Sequence, residues 1–129
     1  MIYIVDDSKV VRERLVNMLS EIDGVEVCGQ AQNAAEAIAG IRSLKPRVVI
    51  LDIQMPGGSG IEVLRTIKQD IRPPVVMMLT NHSYQQYRDK CMELGADYFF
   101  DKTHDFENIT EIFKDLVARF EHEGNHRSV

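Results

Sequence analysis

A chain of 129 residues with 44% apolar content can close one hydrophobic core, so a single domain is expected and no second one is sought. Its net charge of −5 lacks the basic surplus of a broad nucleic-acid footprint, and no apolar run approaches the ~20 residues of a membrane span. Without a basic segment ahead of a long apolar stretch, and with Cys28 and Cys91 far apart and outside any metal-ligand spacing, neither a signal peptide, a disulfide frame nor a zinc site is expected, and the protein reads as cytoplasmic.

The first apolar run, IYIV at 2–5, has the length of a buried strand and collides at once with Asp6 and Asp7. Adjacent carboxylates there repel unless a metal or a lysine sits against them. A helix follows, with Val11, Leu15, Met18 and Ile22 as its apolar stripe and Asp23-Gly24 as its stop. The second strand is expected over 25–31, VEVCGQA. Asn33 and Glu36 then form a capping-box pattern for a helix that ends before Pro46.

RVVILDI at 47–53 lacks alternation, as expected of a strand buried on both faces of a parallel sheet, and it delivers Asp52 into the loop QMPGGSG. Ser59 and Glu62 repeat the capping-box pattern, and Pro73-Pro74 marks the next stop. The fourth strand, VVMML at 75–79, ends in Thr80. Ser83 fits an N-cap, and Gly95 ends the fourth helix. DYFF at 97–100 is the fifth strand and runs into Asp101 and Lys102. Asp105 fits the cap of a last helix with Phe106, Ile109, Phe113, Leu116 and Phe120 on one stripe. The domain is placed at 1–121, with 122–129 a polar tail that frays. His122 and His126 share a helical spacing within it, but without a third ligand they read as solvated.

In an open parallel α/β sheet, ligands bind beyond the carboxyl ends of the strands. The first, third, fourth and fifth strands deliver Asp6-Asp7, Asp52, Thr80 and Lys102 to that edge. Carboxylates from two strands suit Mg²⁺, with Mn²⁺ as the substitute, and a further carboxylate is placed to attack phosphorus while lysine and hydroxyl meet the phosphoryl oxygens. Asp52, on the middle strand, is the candidate nucleophile.

VDDS at 5–8, VVILDIQMPGGSGIEVL at 48–64, MLT at 78–80 and ADYFFDK at 96–102 together resemble the receiver domain of two-component response regulators, over nearly the whole chain. The resemblance implies a flavodoxin-like fold: a five-stranded parallel sheet of order 2-1-3-4-5 with five helices covering both faces. It implies that Asp52 accepts a phosphoryl group from a histidine kinase or histidine phosphotransfer protein. Asp6, Asp7, Asp52 and the backbone carbonyl of Gln54 would hold the metal, Lys102 and Thr80 would bind the phosphoryl group, and Thr80 and Phe99 would act as the switch. The surface of the fourth helix, fifth strand and fifth helix would then repack for a downstream protein. The resemblance also allows a dimer formed on phosphorylation, with no direct contact to nucleic acid or membrane. One departure stands out, because relatives place a cis-bonded proline directly after the lysine whereas Thr103 stands here. A trans bond with a rearranged loop, or a strained cis bond costing ~2.5–4 kcal/mol, is expected.

A polar tail alone follows the fifth helix, which favours a stand-alone module over the regulatory half of a longer DNA-binding regulator. A phosphatase of the haloacid dehalogenase type would need a second aspartate at Gln54, and a flavodoxin-like nucleotide binder would want a phosphate loop where DDSK brings negative charge. The expected chemistry is self-modification, without an external substrate.

Overall fold

Alternation along the strands sends side chains to two helical layers, one on each face of a single sheet. The computed structural model describes residues 1–55, 58–81 and 84–127, with backbone alone from 121 onward. Strands β1 (Ile2–Val5), β2 (Val27–Ala31), β3 (Val48–Leu51), β6 (Val75–Thr80) and β7 (Tyr98–Asp101) form an all-parallel sheet of order β2-β1-β3-β6-β7. With β6 and β7 as the fourth and fifth strands of the sheet, this is the 2-1-3-4-5 order that the resemblance implied. Two further strands of two residues each, β4 (Gln54–Met55) and β5 (Gly58–Ser59), pair antiparallel within the stretch expected to be loop.

Tyr3, Val5, Val49, Leu51, Val76, Met78 and Phe99 face helices α2 (Ala34–Leu44), α3 (Gly60–Ile67) and α4 (Gln85–Glu93), where Ala37, Ile41, Val63, Leu64, Ile67 and Cys91 meet them. Ile2, Ile4, Val48, Ile50, Met77 and Leu79 point the other way, to α1 (Lys9–Ser20) and α5 (Asn108–Arg127), which supply Leu15, Leu19, Ile109, Phe113 and Leu116. Full burial of a side chain the size of Phe113 contributes about 2–3 kcal/mol, so each layer is anchored by a few such groups. The layer of α2 comes especially close to β1. The Tyr3 ring lies between Gly29 and Gly40, where a Cβ on Gly29 would stand 2.7 Å from the ring and one on Gly40 would overlap the hydroxyl. That hydroxyl donates to the Gln30 carbonyl at 3.3 Å.

The helix signals hold unevenly. Asn33 accepts from the Glu36 N–H at 2.9 Å as its spacing predicts, and Ser8 caps α1 through the Val11 N–H at 3.3 Å. Ser59 instead accepts from Ile61, because Gly60 starts the helix in a tight approach to the preceding loop. Asp105 does not cap α5: a turn intervenes before Asn108, and the Asp105 carboxylate reaches back to the Asp101 N–H. Gly24 and Gly95 take the positive φ that their places after helices require, 86° and 103°. The helical backbone of α5 continues to Arg127, through residues expected to form a polar tail. Pro56 and Gly57 of the QMPGGSG loop, His82, and the cap expected at Ser83 lie outside the described residues, as do the side chains of His122 and His126. No described helix is long and apolar enough to cross a membrane.

Candidate functional site

Parallel register brings the ends of β1, β3, β6 and β7 to one edge. Asp6 follows Val5 and donates its N–H to Ala31, while Asp52 follows Leu51 and donates to Val5, so backbone bonds to neighbouring strands fix both carboxylates side by side. Asp6 is 2% exposed and Asp52 5%, burial that carboxylates accept only with a partner. Lys102 is that partner. Its Nζ lies 2.7 Å from Asp6 Oδ2 and 3.0 Å from Asp52 Oδ2, and its backbone N–H is held at 2.9 Å by the Thr80 carbonyl.

One ammonium between two carboxylates leaves an uncompensated negative charge. Burial pushes the Asp52 carboxyl above the usual carboxylate range, and although Lys102 pulls it down, the neighbouring Asp6 adds to the rise. For Lys102, burial alone would lower the ammonium, but the hydrogen bonds and charges of Asp6 and Asp52 outweigh it and hold the group above its ordinary value. Asp6 makes the shorter bond to the shared cation and also accepts from the Ser8 N–H at 2.9 Å. Asp7 lies exposed at the rim. A carboxylate oxygen from each of Asp6, Asp7 and Asp52 falls within 4.8 Å of the others, a set of hard donors with net negative charge that suits a divalent cation of the Mg²⁺ kind.

The remaining expected residues surround this centre. Gln54 stands two residues past Asp52 in β4, with an exposed side chain, and borders an open cleft of about 400 Å³ that Met55, Ser59, Ile61 and Tyr87 also line. Thr80 is fully buried at the end of β6, in register with Asp101 of β7. Phe99 is buried against the α2–α4 layer, with the Arg88 guanidinium 5.8 Å from its ring centre. The Lys102–Thr103 bond is trans. Cys91, read as packing, is fully buried, and burial pushes its thiol up to about 11.

The family model for the response regulator receiver domain matches residues 2–114. The chain belongs to that family. An uncharacterised response regulatory protein of Vibrio cholerae is 39% identical over 116 residues, covering 90% of this chain and 48% of that protein. Among solved structures, this receiver is similar to a LuxR-family two-component response regulator from Aurantimonas (29% identity, TM-score 0.83, 91% of this chain and 84% of that one). It is also similar to the CheX–CheY–BeF₃–Mg complex of Borrelia burgdorferi (25% identity, TM-score 0.75, 87% of each chain). The chain spans about half the length of the first curated relatives it matches, 48% for each of two Vibrio proteins.

Three supports of the receiver site escaped the sequence reading. Arg12, one turn into α1, donates from Nη1 to the Asp6 carbonyl at 2.6 Å. Gly60 packs on the Asp52 carbonyl, where a Cβ would overlap the oxygen and lie 2.8 Å from the carbon. Asp101, read as the plain end of a strand, accepts two N–H groups of the loop after Lys102. An Asp two residues before a potential donor is a recognisable turn signal, and it was the one available clue to the last of these.

Proposed function

We propose that the chain accepts a phosphoryl group on Asp52 from the phosphohistidine of a histidine kinase or phosphotransfer protein. The observation that carries this is the pairing of a buried Asp52 with Lys102 at 3.0 Å beside two further aspartates. Lys102 occupies one oxygen of Asp52, Oδ2, which leaves Oδ1 as the nucleophile. As the new O–P bond forms, the P–N bond to the donor imidazole breaks and its electron pair returns to nitrogen, so the ring, already protonated on its other nitrogen, leaves neutral. Lys102 then meets the charge on a phosphoryl oxygen and the Thr80 hydroxyl donates to another. Asp6, Asp7, Asp52 and the Gln54 carbonyl would hold Mg²⁺, or Mn²⁺, which when bound supplies charge neutralisation at the phosphoryl oxygens. The Borrelia neighbour, a complex with BeF₃ and Mg, supports this assignment by similarity.

Movement of Thr80 toward the phosphoryl group would bear on β7, because Thr80 pairs with Asp101 two residues beyond Phe99. The surface of α4, β7 and α5 is therefore the proposed contact for a downstream protein. The greater length of the curated relatives favours a second reading, in which the receiver controls an attached output domain. In either case the chemistry is self-modification.

Intact mass after incubation with acetyl phosphate, with and without Mg²⁺, tests the assignment. A metal-dependent gain of one phosphoryl group on the parent and none on Asp52→Ala is expected. A parent that gains nothing from acetyl phosphate or from a phosphorylated kinase overturns it.

A further inference from the structure

Lys102 stands on a turn closed by the carboxylates of Asp101 and Asp105. Asp101 Oδ1 accepts from the backbone N–H of Thr103 at 2.7 Å and of His104 at 3.1 Å, and Nδ1 of His104 lies 3.3 Å from the same oxygen. From the other side, Asp105 Oδ2 accepts from the Asp101 N–H at 2.9 Å, while the Asp105 N–H donates to the Asp101 carbonyl at 2.9 Å. With the Lys102 N–H on the Thr80 carbonyl, every amide from 101 through 105 has a named acceptor.

These backbone bonds bear on the ammonium. Nζ sits at the end of a flexible four-carbon stem, and its meeting with Asp6 and Asp52 at 2.7 and 3.0 Å depends on where the stem begins. The register of β6 and β7 sets one side of Lys102, and the Asp101 carboxylate sets the other, where the chain has already left the sheet. We propose that Asp101 is a positioning residue for Lys102, fixing the backbone from which the lysine reaches the acceptor carboxylate. The inference rests on the reading of Asp52 as the phosphoryl acceptor. What Asp101 contributes is an oxygen at the right reach, since an aspartate or asparagine side chain accepts from amides two and three residues on, while glutamate is one carbon too long.

The rate of Asp52 phosphorylation by acetyl phosphate with Mg²⁺ tests this, with melting followed by circular dichroism to show that each variant is folded. Displacement of a reacting group by about 1 Å costs on the order of 100-fold, so a partial displacement in Asp101→Ala is expected to slow the reaction by about tenfold or more. Asp101→Asn, which keeps the accepting oxygen and loses the charge, should restore the rate to within about twofold of the parent, whereas Asp101→Glu should be as slow as Asp101→Ala. In a Lys102→Ala background, Asp101→Ala should cost nothing further, because non-additivity marks residues that act through one another. Should Asp101→Ala not fold, Asp101→Glu carries the same expectations. A parent rate in Asp101→Ala, an Asn variant as slow as the Ala one, or an equal loss in the Lys102→Ala background overturns the proposal. A parent that takes no phosphoryl group overturns the acceptor reading and this inference with it.

Discussion

Replacing Gly60 with alanine separates two opposed effects whose sizes can be worked out. On propensity alone the change should help, because alanine is favoured over glycine in a helix by about 1 kcal/mol and φ at Gly60 is not positive. Against this stands the Asp52 backbone: the new Cβ would overlap its carbonyl oxygen, lie 2.8 Å from the carbon and stand 3.1 Å from Cα of Ile53. No flexible side-chain tip is available to yield. Relief needs a backbone shift on the order of 1 Å, and overpacking of this kind costs roughly 1–3 kcal/mol, with the upper end expected where rigid backbone is the obstacle. The Gly60 N–H donates to the Ile53 carbonyl at 2.7 Å, so the shift also loosens the segment that presents Asp52. Net destabilisation of about 1–2 kcal/mol is expected from urea denaturation, with a loss of phosphorylation rate on the order of 10- to 100-fold. A variant at least as stable as the parent and phosphorylated at the parent rate would refute the argument that this contact holds the acceptor in place.

Three other outcomes follow from the site and its surroundings. Because the folded state raises the Asp52 pKa, ionising this group costs stability as pH rises above the ordinary carboxylate value and through the raised one; Asp52→Asn should therefore have the higher urea midpoint at pH 7, and its advantage should shrink as pH falls through that window. Mg²⁺ at about 100 times its dissociation constant should stabilise the parent by about 2.7 kcal/mol, and Asp7→Ala, at an exposed rim position, should leave the metal-free midpoint nearly unchanged while removing most of that gain. Asn33→Ala should cost about 1 kcal/mol in urea denaturation, through loss of the bond to the Glu36 N–H, and leave the phosphorylation rate unchanged.

Legibility from sequence follows the range of the interaction. Strand positions, the two-layer pattern and the meeting of Asp6, Asp52 and Lys102 at one edge were readable because an apolar run ending in a charge carries its own explanation. Short-range choices among near-equivalent acceptors were not. Ser59 had Ile61 and Glu62 both within reach, and the close seat of Gly60 selected Ile61. Asp105 has the residue type of a cap, but a turn before α5 turned its carboxylate back to Asp101. Arg12 is beyond any such reading, since nothing local tells that a polar residue in the first turn of a helix will reach back to the carbonyl of Asp6. Leu19 was missed from the α1 stripe because a helix face is wider than one residue every turn, and its neighbour Met18 occupied the expected place.

The seating of Tyr3 between Gly29 and Gly40 has an evolutionary consequence. Three positions on β1, β2 and α2 share one volume, so none of them can grow while the others stay as they are. Alanine at 40 would evict the phenol before any gain in helix propensity is realised, whereas a prior change of Tyr3 to a smaller apolar residue would open the space that alanine needs. Substitutions at 3, 29 and 40 are therefore expected to be ordered as well as correlated: the aromatic should shrink first, and filling 40 should close the way back to tyrosine.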